Sequence, residues 1–542
     1  MSAARDLTPL PDLLQQTPFA GPVRTRRPVY VDLLPPCNNA CPAGEDIQGW
    51  LAAVRDKDFE KAFRILTEDN PLPGVHGRVC YHPCEDACNR AQLDSTISVH
   101  ALERFIGDEA NRRNLSFGKI EEPSGKRILV IGAGPSGLSA AYHLARRGHL
   151  VEVRDAGAEP GGMMRYGIPA YRLPRDVLAA DIARIEALGV TFTMNHRVTD
   201  LEAERAKFDA VFVAVGAHLS KHAEIPARDA SRIVDAVPFL REVAAGGQPV
   251  IGRRVAVYGG GNTAMDAART AKRLGADEAL IVYRRTRAKM PAHEEEAAAA
   301  EQEGIRINWL RTITDFEGPE MTVEVMDLDE NGYPRPTGRL ETLEADTLIL
   351  ALGQDADTGF LRALPGVEFN RDATVIVDRH MMTGCPGVFA GGDMVPAERT
   401  VTVSTGHGKK AARFIDDYLR GIVPVSARKH DLASFDRLHP WYFADIKVPE
   451  QSERTVASRI TDFAEVTGGL TADEAVLEAG RCLSCGNCFE CDGCLGACPE
   501  DAVIKLGPGY RYRFDYDACT GCGICYEQCP VHAIDMVPEE GQ

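Results

Sequence analysis

The chain of 542 residues has no run of about 18 consecutive apolar residues, the minimum that a transmembrane helix needs. Its N-terminal region carries Arg5 and Asp6 and no apolar segment, so no secretory signal is expected. Basic residues are not in excess, because 61 Lys and Arg stand against 79 Asp and Glu, a net charge of −18. Phosphate backbones require a basic face. We therefore expect a cytoplasmic protein with no membrane span and no nucleic-acid partner.

Cysteine, in contrast, is abundant: the chain has 16, and ten of them lie between Cys482 and Cys529. Without a secretory signal, so many cysteines indicate metal ligands in a reducing compartment. Eight of the ten spell C-x2-C-x2-C-x3-C-P twice, the run that holds [4Fe–4S] clusters in bacterial ferredoxins. These are Cys488, Cys491, Cys494 and Cys498, then Cys519, Cys522, Cys525 and Cys529.

The fourth cysteine of each run ligates the other cluster in such ferredoxins. The spacing therefore predicts that one cluster is held by the first three cysteines of the first run and by Cys529. The other cluster would be held by the first three cysteines of the second run and by Cys498. Zinc or disulfides are the alternative, but zinc sites pair two C-x2-C knuckles and do not repeat this pattern. The sequence thus predicts a protein that moves single electrons.

A Gly-rich loop follows a predicted strand at 126–131 and opens a predicted helix. It carries glycines at G-x-G-x-x-G spacing, Gly132, Gly134 and Gly137. Such glycines allow a tight turn and let a pyrophosphate approach the helix N-terminus. The next predicted strand, 151–154, ends in Asp155, where a carboxylate would accept ribose hydroxyls. This is a dinucleotide-binding pattern.

A second copy of this pattern begins with a predicted strand at 254–258. Its turn reads G-x-G-x-x-A and contains Gly259, Gly261, Asn262 and Ala264. The following strand, 279–283, ends in Arg284 and Arg285 in place of an acid. Guanidinium groups bind a 2′-phosphate that a carboxylate would repel, so the sequence favours NADP(H) over NAD(H). The alternative is two solvated arginines at a strand end.

Two dinucleotide folds in one chain suggest FAD in the first and a nicotinamide nucleotide in the second. A short predicted strand that begins at Gly387 ends in Gly391, Gly392 and Asp393. Asp393 is placed to hydrogen-bond the flavin ribityl chain, although a turn aspartate is the alternative. The segment 406–412 is predicted to open a helix whose N-terminus faces the flavin ring.

These motifs resemble the small-subunit family of glutamate synthase. That family includes the pyridine-nucleotide half of dihydropyrimidine dehydrogenase and the large subunit of the NADH-dependent ferredoxin:NADP transhydrogenase. The resemblance rests on segments 161–174, 259–266, 283–285, 290–292 and 391–393. It implies FAD in 126–240 and 340–420, NAD(P)H at about 245–340, and an N-terminal helical iron–sulfur domain. It also adds Gly162, Arg165 and Gly392 to the cofactor-binding residues.

The resemblance further implies an N-terminal cluster held by three cysteines and one side-chain oxygen. Its ligands here would be Cys41, Cys80, Cys84 and Glu103. The alternative for Glu103 is an ordinary glutamate on a helix surface. The chain departs from the family at 33–36, where two further cysteines are expected, so Cys37 and Cys88 are left with half a cluster.

Cys482 and Cys485 lie in a segment that resembles the missing head of the N-terminal pattern. We hypothesise that they return to the N-terminal domain and complete a cluster with Cys37 and Cys88. Four clusters would then use all cysteines except Cys385, which is expected to be structural. The alternative is that Cys482 and Cys485 bind nothing, which leaves one N-terminal cluster in place of two.

The predicted fold class is multi-domain α/β, with a helical iron–sulfur domain, two Rossmann-like doubly wound domains and a ferredoxin-like α+β domain. The predicted divisions are an arm (1–36), the helical domain (37–122), the FAD domain (123–244 and 341–425), the NAD(P)H domain (245–340), a linker (426–480) and the ferredoxin domain (481–542).

The predicted function is electron transfer between NAD(P)H and a partner through FAD and [4Fe–4S] clusters, with no acid or base residue required. The chain lacks a module that would transform an organic substrate. By family analogy we expect a hetero-oligomer with a catalytic partner subunit. That subunit would be the one of a glutamate synthase, a 2-oxoacid oxidoreductase or an aldehyde oxidoreductase. A soluble ferredoxin is the other expected partner. The alternatives are a component of a bifurcating transhydrogenase and a non-catalytic polyferredoxin scaffold.

Overall fold

The computed structural model of the chain describes residues 24–118, 120–221, 225–226, 232–425 and 429–539. Most of the predicted N-terminal arm, residues 1–23, lies outside this part. The remainder of the arm contains strand β1 (Arg26–Tyr30). Among the described residues, no helix combines the length and apolar character that crossing a bilayer demands.

The N-terminal domain is helical, as predicted. Its helices are α1 (Pro36–Ala40), α2 (Ile47–Arg55), α3 (Phe59–Thr67), α4 (Pro73–Val79), α5 (Pro83–Asp86) and α6 (Val99–Arg113). Asp46 and Asp58 cap α2 and α3 through their side chains, which satisfies backbone N–H groups at both helix starts. Proline begins α1, α4 and α5, where its missing N–H costs nothing.

A parallel sheet begins after this domain. The elements are β2 (Arg127–Ile131), α7 (Pro135–Arg146), β3 (Leu150–Arg154), α8 (Met163–Tyr166), α9 (Arg175–Glu186), β4 (Thr191–Thr193), α10 (Leu201–Arg205), β5 (Ala210–Val213) and β6 (Leu219–Ser220). Four of the five residues of β2 are buried, as expected for a strand covered on both faces.

A second sheet follows. Its region contains β7 (Arg232–Asp235), α11 (Ala236–Ala244), β8 (Arg254–Tyr258), α12 (Asn262–Arg273), β9 (Glu278–Tyr283), α13 (Glu294–Gln302), β10 (Arg306–Trp309), β11 (Arg311–Glu317), β12 (Glu320–Leu328), β13 (Pro334–Glu344) and β14 (Thr347–Leu350). The parallel strand order is β10-β9-β8-β14-β7, and β11, β12 and β13 form an antiparallel sheet. The second dinucleotide domain therefore extends over 232–350, beyond the predicted limits of 245 and 340, because β7 and β14 pair with each other.

The chain then returns to the first sheet through β15 (Gln354–Asp355), β16 (Val388–Ala390) and α14 (Val401–Arg420). The first sheet has the order β16-β5-β2-β3-β4. The prediction that a helix opens at 406–412 is wrong, since α14 begins at Val401, where the Thr400 side chain accepts from the Val403 N–H. Gly408 instead permits close packing on α7, because a Cβ there would lie 2.2 Å from the Ser136 carbonyl oxygen.

The predicted linker is packed against two domains. It contains α15 (Val456–Arg459) and α16 (Ala472–Gly480), and Thr471 and Glu474 form a capping box at the start of α16. Ala475 and Ala479 of α16 belong to the core of the helical domain. Arg459 is buried against the second dinucleotide domain, with its Nε 3.4 Å from Glu303 Oε1.

The C-terminal domain is α+β, as predicted. Its elements are α17 (Gly493–Ala497), β17 (Val503–Lys505), β18 (Tyr512–Phe514), α18 (Ile524–Glu527) and β19 (Ile534–Pro538). β17 pairs with β18, and β19 pairs antiparallel with β1 of the arm. The two ends of the chain therefore meet in one domain.

Buried ion pairs join the two dinucleotide domains. Arg172, in the segment between α8 and α9, donates to both carboxylate oxygens of Asp266 on α12, at 3.0 and 2.9 Å. It also pairs with Glu296 on α13. The guanidinium carbon of Arg273 lies 3.7 Å from the ring centroid of Tyr171. Glu296 faces this interface because α13 packs beside α12.

Candidate functional site

A cavity of about 810 Å³ lies between the two dinucleotide domains, where both Gly-rich loops end their strands. This is the crevice at the carboxyl ends of parallel strands where dinucleotides bind in such folds. Most of the predicted cofactor residues line it, namely Gly134, Asp155, Gly162, Gly392 and Asp393 on one side and Gly259, Gly261, Asn262, Arg284 and Arg285 on the other.

The glycines of the two loops have different tasks. A Cβ on Gly132 would lie 2.2 Å from the Ala214 carbonyl oxygen, so the protein's own packing requires glycine there. Gly137 is equally constrained by the Gly132 carbonyl oxygen, at 1.8 Å. A Cβ on Gly134 or Gly261, in contrast, would meet no protein atom within 4 Å. Both line the cavity, so glycine there leaves room for a pyrophosphate, which fits a dinucleotide in each half.

Two predicted aspartates present carboxylates to the first half of the cavity. Asp155 accepts from the backbone N–H of Ala133 at 2.7 Å and of Gly157 at 2.6 Å, which fixes its orientation beside the Gly-rich loop. Asp393 accepts from the Ser404 hydroxyl at 3.0 Å, and burial raises the pKa of its carboxyl group. A carboxylate has about four lone-pair sites, so each retains acceptor capacity for ribose or ribityl hydroxyls.

The second half of the cavity carries the predicted arginine pair. Arg284 is exposed, and Arg285 is half-buried with an Nε that has no hydrogen-bond partner in the described part of the chain. Within the same described residues, neither arginine forms an ion pair with a carboxylate. A buried donor without a partner is costly, and a 2′-phosphate would satisfy it. The arrangement fits NADP(H).

Besides Gly132 and Gly137, two further predicted cofactor residues do not line the cavity. Arg165 donates from Nε to the Pro160 carbonyl oxygen at 2.7 Å and pairs with Glu159, so it fixes the turn that precedes α8. Ala264 is fully buried inside α12, where its small side chain allows packing. Asn262, by contrast, does line the cavity, and its Oδ1 accepts a hydrogen bond from the His293 N–H at 3.0 Å.

The helical domain forms one wall of the same cavity, which the sequence analysis did not predict. Val79 and Tyr81, on either side of Cys80, line it. Cys80 accepts a hydrogen bond from the Thr402 hydroxyl, with Oγ1 and Sγ 3.0 Å apart. Thr402 belongs to the first turn of α14, which also lines the cavity through Val401. One hydrogen bond therefore links the flavin side of the cavity to a predicted cluster ligand.

We call the group of Cys41, Cys80, Cys84 and Glu103 site A. These residues enclose a small cavity together with Glu45, which the sequence analysis missed. Glu103 is only 4% exposed, so the alternative of a helix-surface glutamate is wrong. Asn70 Nδ2 donates to Glu45 Oε1 at 3.0 Å and to Glu103 Oε1 at 2.7 Å.

The electrostatics of site A favour a bound cation. Burial and then repulsion from Glu45 raise the pKa of Glu103 well above its ordinary value. Burial and then repulsion from Glu103 raise the pKa of the Cys80 thiol to about 12. Iron ions would offset this crowding of anionic ligands, because bound metal cations lower the pKa of coordinating thiols. The residues of site A fit an iron–sulfur cluster.

We call the group of Cys37, Cys88, Cys482 and Cys485 site B. The structure brings these four cysteines together from opposite ends of the chain. Burial and then repulsion from the other three raise the pKa of Cys37 well above its ordinary value. Asn89 Nδ2 lies 3.6 Å from Cys485 Sγ.

Two buried arginines bracket site B. Arg90, two residues after Cys88, donates to the Arg481 carbonyl oxygen at 2.8 Å, directly before Cys482. Arg481 in turn donates to the Ser95 carbonyl oxygen at 2.7 Å and pairs with Glu478 at 2.8 Å. These bonds fix the C-terminal cysteine pair on the N-terminal domain.

The ferredoxin cysteines form two groups with the predicted crossed membership. Burial and then repulsion from Cys488, Cys529 and Cys491 raise the pKa of Cys494 to about 12. Burial and then repulsion from Cys519, Cys522 and Cys498 raise the pKa of Cys525 to about 12. We call the first group site C and the second group site D.

Backbone N–H groups point at several of these sulfur atoms. Donor-to-sulfur distances of 3.2–3.4 Å join His82 to Cys80, Ser484 to Cys482, Ala502 to Cys498, Gly521 to Cys519 and Ala533 to Cys529. Hydrogen bonds to sulfur stabilise thiolates and tune cluster potentials. All four groups therefore have the donor environment of iron–sulfur ligands.

Neighbouring sites are joined by ligands about one helical turn apart. Cys37 lies in α1 and Cys41 directly follows that helix, while Cys84 lies in α5 and Cys88 is two residues past its end, so each pair links sites A and B. Cys485 of site B is three residues from Cys488 of site C. The pairs Cys494–Cys498 and Cys525–Cys529 link sites C and D. Four residues of helix rise only about 6 Å, and three residues of fully extended chain span at most about 11 Å, so the ligands that join adjacent sites are close together.

Cys385 lies outside these four groups, as predicted. It is buried beside β16, and its sulfur accepts from Arg205 Nη1 at 2.6 Å. The contact fixes α10 against the first sheet, which is a structural role.

Comparison with known families agrees with this architecture. Residues 126–408 match the pyridine nucleotide-disulphide oxidoreductase family. Residues 32–115 match the family described as dihydropyrimidine dehydrogenase domain II, 4Fe-4S cluster, and residues 512–535 match the 4Fe-4S binding domain. FAD, NAD(P) and [4Fe–4S] clusters are the cofactors of these domains.

Two relatives match over most of the chain. The beta subunit of the NADP(+)-dependent formate dehydrogenase of Moorella thermoacetica is 38% identical over 498 residues, covering 83% of this chain and 70% of that one. The beta subunit of the NADPH-Fe(3+) oxidoreductase of Geobacter sulfurreducens is 33% identical over 502 residues, covering 83% and 75%. Among solved structures, thioredoxin reductase of Lactococcus lactis matches 55% of this chain and all of that one, with 22% identity and a TM-score of 0.44.

Removing a site B ligand from either end of the chain is expected to remove the same cluster. Cys37→Ala and Cys482→Ala should each lower the iron content of the anaerobically purified protein by about four atoms per chain, with flavin content unchanged. Cys385→Ala is the matched control and should keep all of its iron. An unchanged iron content in both site B variants would contradict the shared cluster.

Arg285→Ala is expected to weaken NADPH selectively. A lost charge-assisted hydrogen bond costs roughly 1.5–3 kcal/mol, so the KM for NADPH should rise about 10- to 100-fold while the KM for NADH changes little. Anaerobic flavin reduction measures both. Arg287→Ala is the control, because Arg287 is paired with Glu294 and Glu301. An equal rise in the KM values for NADPH and NADH would show that Arg285 does not bind the 2′-phosphate.

Proposed function

The chain belongs to the pyridine nucleotide-disulphide oxidoreductase family, and on that premise we propose that it is the pyridine-nucleotide subunit of a larger oxidoreductase, exchanging electrons between NADPH and a separate catalytic subunit. When bound, FAD exchanges two electrons with the nicotinamide and single electrons with [4Fe–4S] clusters. The protein contributes binding, orientation and the order of the sites.

The observation that carries the proposal is the unbroken succession of sites from the cavity to the C-terminal domain. Thr402, beside the flavin half of the cavity, donates to Cys80 of site A at 3.0 Å. Cys37 and Cys41 at α1, and Cys84 and Cys88 at α5, connect site A to site B. Cys485 of site B is three residues from Cys488 of site C. A polyferredoxin scaffold would need no such contact with a nucleotide cavity.

The order of the sites, from the cavity through A, B and C to D, supports a partner that docks at site D. Site D lies at the surface, where Cys522 is exposed. The cysteines of sites A and B, in contrast, are all buried or only partly exposed. Trp441 is 64% exposed in the segment that contacts the ferredoxin domain. Electrons would therefore enter or leave through site D.

The nature of the partner is inferred from what the chain contains. The cavity is lined by residues of two dinucleotide motifs, and those residues fit FAD and NADP(H). Both relatives described above are beta subunits by name, one of a formate dehydrogenase and one of an NADPH-Fe(3+) oxidoreductase. We therefore assign the chemistry on the final substrate to a separate catalytic subunit.

The proposal predicts that NADPH alone reduces the whole succession. Anaerobic titration should bleach the flavin absorbance and produce the electron paramagnetic resonance signals of reduced [4Fe–4S] clusters. NADH should require higher concentrations for the same effect, because it offers nothing to Arg284 and Arg285. Absence of flavin reduction by either nucleotide would contradict the proposal and favour a scaffold.

Thr402→Val should lower the reduction potential of the site A cluster, because a hydrogen bond to a ligand sulfur stabilises the reduced, more negative state. Thr402→Ser keeps the hydroxyl group and should keep the potential. Potentiometric titration followed by electron paramagnetic resonance measures the shift. If Thr402→Val and Thr402→Ser share the wild-type potential, the hydrogen bond does not tune site A.

A further inference from the structure

Two histidines and a glutamate converge beside the predicted ligands of site A, and the two histidines also line the small cavity of that site. His82 lies between Cys80 and Cys84, Glu85 lies on α5, and His100 lies in the first turn of α6. One ligand atom from each residue lies within 4.8 Å of the other two. We propose that His82, Glu85 and His100 form a separate binding site for a divalent transition-metal ion such as Zn²⁺.

The distances between these donors are close to those expected around one metal ion. His100 Nδ1 is 2.8 Å from Glu85 Oε1, and His82 Nδ1 is 3.6 Å from Glu85 Oε2. Two ligands that each lie about 2.0–2.1 Å from zinc are separated by roughly 3.0–3.4 Å in octahedral or tetrahedral geometry. The observed values lie on either side of this range, so small side-chain rotations would place all three donors around one ion.

Each imidazole also has a side-chain oxygen near its other nitrogen, within hydrogen-bond distance for His100 and slightly beyond it for His82. His82 Nε2 is 3.6 Å from Glu295 Oε2, and His100 Nε2 is 3.1 Å from Gln451 Oε1. The Gln451 amide nitrogen donates to the Gly468 carbonyl oxygen at 3.0 Å, so its Oε1 is directed at His100. Metal-bound histidines usually donate their second N–H to a carboxylate or carbonyl in this way, and the arrangement leaves both Nδ1 atoms facing Glu85.

The backbone conformation at His82 holds its imidazole ring against that of His100. His82 has φ of 36° and ψ of 56°, a left-handed conformation that is unfavourable for a residue with a Cβ. In this conformation its ring stacks on that of His100, with centroids 4.4 Å apart. Glu85 is held as well, because its Oε1 accepts from the His100 backbone N–H at 2.8 Å.

The donor set selects the class of ion. Two imidazoles and one carboxylate suit zinc and related transition metals, whereas calcium and magnesium prefer oxygen ligands alone. The His100 side chain is 30% exposed, which leaves an open position for water. The outer partners come from other parts of the molecule, Glu295 from α13 and Gln451 from the segment after the first dinucleotide domain. A bound ion would therefore tie the helical domain to both.

The test is zinc binding to the anaerobically purified holoprotein, measured by equilibrium dialysis and elemental analysis of zinc and iron per flavin. Wild type is expected to bind about one zinc per chain without losing iron. His100→Gln and Glu85→Gln should each lower the affinity at least tenfold while iron and flavin contents stay constant. Glu295→Gln should weaken binding about tenfold, because outer partners contribute 10- to 100-fold.

His380→Gln is the matched control, because His380 lies beside Asp378 away from the site, and it should bind zinc as wild type does. Zinc should also raise the Tm of wild type and of His380→Gln, and not that of His100→Gln. No stoichiometric zinc on wild type, or equal zinc on wild type and His100→Gln, would overturn the proposal. Zinc uptake accompanied by an equal loss of iron would overturn it too, since the ion would then occupy a cluster site. None of these outcomes depends on the electron-transfer proposal.

Discussion

The structure depends on one constraint: four cysteines from opposite ends of the chain must meet at site B. Cys37 and Cys88 come from the helical domain, and Cys482 and Cys485 come from the beginning of the ferredoxin domain. Several other features serve this meeting. β1 pairs with β19. Helix α16 contributes to the helical domain's core. Arg90 and Arg481 connect the two segments through buried hydrogen bonds.

The meeting of these four cysteines at site B explains how electrons can pass between sites without a long-range conformational change. Short turns carry the ligands of successive sites, so the distances between sites are fixed by local backbone geometry. The ion pairs of Arg172 with Asp266 and Glu296 likewise fix the second dinucleotide domain against the first. Buried ion pairs contribute little net stability, but breaking one is costly, so they favour a single domain arrangement.

Much of this architecture is predictable from the sequence because its signals are local. The Gly-rich loops and the strands before them follow from spacing within about 30 residues, and the crossed cysteine groups follow from spacing within about 40 residues. The shared site B was accessible only through the family resemblance of the segment that holds Cys482 and Cys485, together with the shortage of cysteines at the N-terminus. Glu45 and Thr402 carry no local signal, and only the folded chain brings them beside site A. The glycines at 406 and 408 were misread as a helix start, because close packing of α14 on α7 and a helix terminus both require glycine.

The central claim is that cysteines from both ends of the chain complete a fourth cluster and so a continuous succession of redox sites. The most direct test is the iron and acid-labile sulfide content of the full-length, anaerobically purified protein relative to its flavin. The account predicts about sixteen irons and about sixteen sulfides per FAD. About twelve of each would leave Cys37, Cys88, Cys482 and Cys485 without a cluster and would contradict it.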